Sequence, residues 1–180
     1  MHRRVIIVAV IFTSLIVLAF LSRVAPSGYT LIDLKEDRGN RRLLCAVLRD
    51  DERVVLTWRN SQFGLDVTEA FFARSGLLIQ DQVTFALPDG PPPPRVLPGD
   101  VEDLFHTGGP FDARGLSRPF SRIVYRISEI GNPKLRVQER TVSLKAEAGF
   151  GGRVILTTTR PTLAEIIFRS SITAAGRSGQ

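Results

Sequence analysis

Glu69 is the residue whose setting suggests chemistry. It lies in the segment Trp58-Arg59-Asn60-Ser61-Gln62-Phe63-Gly64-Leu65-Asp66-Val67-Thr68-Glu69-Ala70-Phe71. If residues 54–60 and 67–74 pair as a hairpin, Asn60 continues the face of Trp58, and Glu69 shares a face with Val67, Phe71 and Ala73. A carboxylate on an apolar face is costly unless it is paired or hydrogen-bonded. Two readings follow. Asn60, Ser61 and Glu69 line a small polar ligand pocket at one end of a sheet, or Glu69 is tied to an arginine or to turn amides and holds the hairpin in register.

Other groupings carry less. His106 with Asp103 and Asp112 has the composition of an acid–base or metal group, yet a lone histidine beside acids in a long loop is ordinarily a solvated side chain. With only His2, His106 and Cys45 available, neither a histidine-rich metal centre nor a cysteine-based zinc site is expected, and a single thiol makes no intrachain disulfide. Cys45 alternates with Leu43 and Val47, which predicts a small core residue. No glycine-flanked serine elbow is present, and a strand rather than a helix follows Gly149, Gly151 and Gly152, which argues against a phosphate loop. The residues thus predict no catalytic group, cofactor or metal.

The elements that must position Glu69 read as strands. Period-two alternation with turn residues at the gaps marks 29–34, 42–48, 53–59, 66–74 and 77–86, the last with Leu77, Ile79, Val83 and Phe85 inward and Gln80, Gln82 and Thr84 outward. It returns at 120–128, where Ile123, Tyr125 and Ile127 share a face, and then at 135–137, 140–146 and 153–159. Between them, residues 87–119 hold eight of the eleven prolines, including Pro91-Pro92-Pro93-Pro94, and read as a long loop with one helical turn at 100–105 capped by Asp100. Thr162 and Glu165 form a capping box for a short closing helix. The expected fold is all-β: a single antiparallel sandwich or flattened barrel of about eight strands.

The amino terminus reads differently. The run Val5–Leu21 carries no charge and follows Arg3-Arg4. Seventeen helical residues rise about 25 Å, slightly short of a bilayer core of about 30 Å, and Ser22 with snorkelling arginines makes up the length. The positive-inside bias keeps Arg3 and Arg4 in the cytoplasm and sends the rest of the chain across. A cleaved signal is the alternative, with Ala25-Pro26-Ser27 as its cut site, which Arg23 disfavours. The expected organisation is an anchor at 1–23, a linker at 24–28, an extracytoplasmic (periplasmic) β domain at 29–169 and a frayed tail at 170–180. Without residues 1–23 the net charge falls from +6 to +3, and the arginines are scattered. No basic stripe for nucleic acid is expected.

The stretches Ser61 and Val67-Thr68-Glu69-Ala70-Phe71, then Gly76-Leu77-Leu78-Ile79 with Val83-Thr84-Phe85, and finally Val142-Ser143-Leu144 with Gly152-Arg153-Val154-Ile155-Leu156 carry a resemblance. Over roughly residues 42–160 the chain resembles bacterial proteins of the domain of unknown function 1850 family. The resemblance implies an exported β-rich protein with an apolar leader, and an accessory role near a tripartite periplasmic transporter. Asn60 stands where that family has histidine, Phe63 stands where it has glutamate, and Ala86-Leu87-Pro88-Asp89-Gly90 replaces its glycine stretch.

Two functions are consistent with these residues. One is a tethered binding or assembly module that meets a membrane partner, such as a transporter, through the long loop, with Arg95, Asp103, Phe105 and His106 in contact. The other is a periplasmic binder of a small ligand at Asn60, Ser61 and Glu69.

Overall fold

The computed structural model describes residues 2–21 and 24–168, with positions 2–5, 8, 9, 18 and 21 described by backbone alone. The chain opens with a helix, α1 (His2–Leu21), and then forms two sheets. The smaller has the order β2-β1-β11-β8, from β1 (Tyr29–Glu36), β2 (Arg42–Arg49), β8 (Arg122–Arg126) and β11 (Arg153–Thr159). The larger has the order β10-β9-β3-β4-β5-β7-β6. It consists of β3 (Arg53–Arg59), β4 (Asp66–Arg74), β5 (Leu77–Ala86), β6 (Arg95–Val96), β7 (Phe111–Phe120), β9 (Lys134–Val137) and β10 (Arg140–Ser143). Pairing is antiparallel throughout except between the short β6 and β7, which run parallel.

The two sheets share a core. Ile32, Leu34, Leu48 and Leu156 of the smaller sheet pack in one cluster with Leu56, Phe71, Leu78 and Leu135 of the larger, each at most 2 % exposed. Side chains buried this fully contribute roughly 1.5–3 kcal/mol each to folding. A second cluster (Leu65, Val67, Val83, Phe85, Val101, Phe111 and Ala113) lies at one end of the larger sheet, and Trp58 packs against both. The β4–β5 turn fastens the sheets together: Gly76 N donates to Thr30 Oγ1 at 2.9 Å, and Asp50 Oδ1 accepts from Ser75 N at 2.8 Å.

Several expectations are corrected. Residues 87–119 are not a continuous loop. A helix, α2 (Val101–Thr107), covers the second cluster, and β7 adds a ten-residue strand beside β5. The strand was hidden because Phe111, Asp112 and Ala113 are buried in succession, and because an irregularity at Gly115 and Ser117, both at positive φ, breaks the period. Asp100 precedes α2 but makes no side-chain cap. Residues 144–148 form a helix, α3 (Leu144–Ala148), whose Ser143 Oγ accepts from Ala146 N, instead of continuing a strand. On β5 the register shifts between Gln80 and Gln82, so Leu78 and Gln80 face inward while Leu77 is exposed. Cys45 lies half-buried opposite Asp33, and Leu44 and Leu48 fill the core instead. Both alternate faces of 43–48 are apolar, so periodicity could not choose between them. The described residues hold eleven strands where about eight were expected.

The closing helix occupies residues 163–168, and its capping box forms: Glu165 Oε2 accepts from Thr162 N at 2.8 Å, and Thr162 Oγ1 accepts from Glu165 N at 3.3 Å. The expected tail at 170–180 lies outside the described residues, as do Met1, Ser22 and Arg23 of the expected anchor. Among the described residues no helix is long and apolar enough to cross a membrane. The anchor therefore finds no support in the structure and remains a reading of the charge-free run, eight of α1's twenty positions being described by backbone alone.

Candidate ligand cleft

The expected β3–β4 hairpin forms, and its register sets Leu56 opposite Glu69 and Trp58 opposite Val67. Its turn is organised by Asn60. The Asn60 Oδ1 accepts from Gln62 N at 2.9 Å and from Phe63 N at 3.0 Å, and Asn60 N donates to Leu65 O at 2.8 Å. Gly64 closes the turn at φ +66°, a conformation that favours glycine. Arg59 straps the outside, 3.4 Å from Asp66 and donating to Gly64 O.

Glu69 is half-buried on the inner face. Its Oε1 accepts from Trp58 Nε1 at 3.0 Å and its Oε2 from Gln80 Nε2 at 2.8 Å. The structural partners are therefore an indole and an amide, neither the arginine nor the turn amides that the sequence suggested. Burial pushes the Glu69 carboxyl above the usual glutamate range, and the two hydrogen bonds hold it back only in part. Gln80 reaches this carboxylate because of the β5 register shift, a signal that simple alternation conceals.

A cleft of about 370 Å³ opens between the hairpin and β8, the edge strand of the smaller sheet. Trp58, Asn60, Ser61 and Glu69 line one side, and Tyr125 and Arg126 the other. All three residues expected for a ligand pocket thus meet in one cleft, and the structure adds Tyr125. Its hydroxyl is buried and has no hydrogen-bond partner among the described residues. Burial, and then the charge of Glu69, pushes the Tyr125 phenol far above its ordinary value, so it is a neutral donor and acceptor. The sequence placed Tyr125 on an apolar face with Ile123 and Ile127; a phenol on such a face needs a partner, which was the available signal. Gly131 shapes the far wall, because a Cβ there would lie 2.7 Å from Ser128 Oγ and 3.0 Å from Arg59 O.

The residues expected to meet a partner lie on two elements, β6 and α2. Asp103, Phe105 and His106 are exposed on α2, although Phe105 rests edge-on against Phe85 at 5.3 Å between centroids. Arg95 projects from β6, 4.0 Å from Asp112. Asp112 is itself engaged, accepting from Gln82 Nε2 and Thr84 Oγ1 at 2.7 Å and from Arg114 Nε at 2.8 Å. Burial pushes its carboxyl up, but these three donors and the Arg114 charge outweigh that and hold it below the usual aspartate range. Among the described residues no three histidine, cysteine or acidic side chains converge to hold a metal ion. A larger groove of about 500 Å³, lined by Asp37, Arg38, Arg126 and Arg153, is a charged surface in which Asp37 already pairs with Arg153.

No family model, curated protein or solved structure matches the chain. The likeness to the domain of unknown function 1850 family therefore rests on the quoted residues alone.

Proposed function

We propose that this protein is a membrane-tethered, extracytoplasmic β-sandwich that binds a small ligand in the cleft between Trp58, Glu69 and Tyr125, as an accessory to a membrane complex such as a transporter. The observation that carries the binding reading is the buried Tyr125 hydroxyl, unpartnered among the described residues, on a side chain that lines the same cleft as the half-buried Glu69 carboxylate. Unsatisfied buried polar groups are rare in folded proteins, and a ligand that hydrogen-bonds to them supplies what the fold leaves open. The cleft volume of about 370 Å³ suits a small organic molecule.

Ser61 is exposed at the rim, so Ser61→Trp fills the entrance without disturbing the core. Small-molecule mixtures from the extracytoplasmic compartment are expected to raise the melting temperature of the wild type and not that of the variant. A wild type that no mixture stabilises, or a variant that responds equally, removes the binding reading.

The tether rests on the uncharged run Val5–Leu21. Ile6, Ile7, Phe12, Leu15 and Phe20 of α1 are 57–67 % exposed and point to all sides of the helix, a distribution that suits lipid better than water. A reporter enzyme active only outside the cytosol, fused after Gln180, is expected to be active; activity of a cytosol-only reporter there overturns the topology.

The assembly reading has its own support in the exposed Leu87 and Leu97, at 48 % and 71 %, on the proline-rich segment. Crosslinkers placed at Arg95 and Asp103 in native membranes are expected to capture a membrane protein, and repeated failure to do so counts against a partner at that segment.

A further inference from the structure

Glu69 and Asp112 are both carboxylates withdrawn from water, and they are satisfied differently. Asp112 has a cation in contact, Arg114, besides its neutral donors. Glu69 has only neutral donors, the Trp58 indole and the Gln80 amide, and takes part in none of the ion pairs among the described residues. Each carboxylate oxygen accepts one of these bonds and keeps capacity for a second. When Glu69 is ionised, the cleft therefore holds a negative charge with no cation of the described residues in contact.

The groups around that charge suit a cation carrying N–H donors. The Tyr125 hydroxyl oxygen is buried and unpartnered, and an ammonium can donate to it and to Glu69 together. The rings of Trp58 and Tyr125 line the same cleft, and aromatic faces attract organic cations. Leu56, Val124 and Pro133 supply apolar wall for an alkyl body. Of the two arginines at the cleft, Arg59 is already paired with Asp66, and Arg126 is exposed, where water and salt screen it.

Resting on the ligand-binding reading, we infer that the ligand is a small organic ammonium compound, its charged nitrogen seated between the Glu69 carboxylate and the Tyr125 hydroxyl and its hydrocarbon part against Trp58. A buried carboxylate gains far more from such a partner than an exposed one does, because the surroundings screen the attraction less.

The test uses the full chain in detergent and two probes of nearly equal size and shape, cyclohexylammonium and cyclohexanecarboxylate, titrated by calorimetry. Cyclohexylammonium is expected to bind and the carboxylate not to bind. Glu69→Gln is expected to weaken ammonium binding at least tenfold, and Tyr125→Phe to weaken it severalfold without loss of fold. Should Glu69→Gln fail to fold, the probe pair on the wild type and the Tyr125→Phe variant still decide. Preference for the carboxylate, no binding of cyclohexylammonium, or unchanged affinity in the folded variants overturns the inference. If the ammonium fails while other small molecules stabilise the wild type and not Ser61→Trp, the ligand class is wrong and the cleft remains a binding site. If nothing binds, both fall together.

Discussion

Two carboxylates with opposite shifts make the residue scale testable. Glu69 is raised by burial, so the folded protein binds its proton more tightly than the unfolded chain, and stability falls as pH rises from the ordinary glutamate value of 4.5 through the raised one. Asp112 is lowered by its hydrogen bonds, so its contribution is full above the ordinary aspartate value of 3.8 and is lost as pH falls through the lowered one. Urea denaturation across pH is therefore expected to show a decline toward neutrality that Glu69→Gln abolishes, and an acid-side loss that Asp112→Asn abolishes. A profile unchanged in either variant contradicts the assigned direction. At Tyr125, Phe removes a hydroxyl that pairs with nothing among the described residues, so Tyr125→Phe is expected to raise stability by about 1 kcal/mol in the same assay. A loss of similar size would mean that the hydroxyl has a partner in solution.

At the scale of elements, the junction of the two sheets leaves no room for a side chain at Gly76. Gly76 sits at φ +89° in the β4–β5 turn, and a Cβ there would meet Arg160 N at 2.8 Å. Gly76→Ala is expected to cost more than about 2 kcal/mol, from left-handed backbone and overpacking together, measured as a shift in the denaturation midpoint. A near-neutral result would show that the turn moves freely from the smaller sheet. The elements also show where alternation works as a guide. The β3–β4 hairpin was legible because Val54, Leu56 and Trp58 alternate cleanly and a polar turn containing Gly64 follows. On β5 the guide failed at the shift between Gln80 and Gln82, since one extra residue turns every earlier side chain to the other face. Alternation alone therefore turns Gln80, the amide partner of Glu69, toward solvent.

Across the whole molecule, packing is divided between the cluster shared by both sheets and the cluster covered by α2. Phe71 is 1 % exposed in the first, so Phe71→Ala is expected to cost about 3–5 kcal/mol and to loosen both sheets at once, seen as loss of amide protection in β1 and β4 alike. Phe105 is 38 % exposed on α2, and its truncation should be milder and confined to the neighbourhood of Phe85 and Phe111. Equal losses from the two would contradict the division into two clusters.

Local pattern determined much by itself: the strand-rich class, the hairpin that carries Glu69, the capping box at Thr162, and the uncharged run at the amino end. Each depends on neighbours within a few residues. The tertiary structure decided what depends on residues far apart. It brought Tyr125 across from β8 to the hairpin, turned Gln80 inward, made residues 111–120 a strand, and gave Asp112 an arginine while leaving Glu69 with none. Side-chain periodicity assigns a residue to a face, but which face is buried, and what lies across from it, is fixed only when the sheets pair and pack.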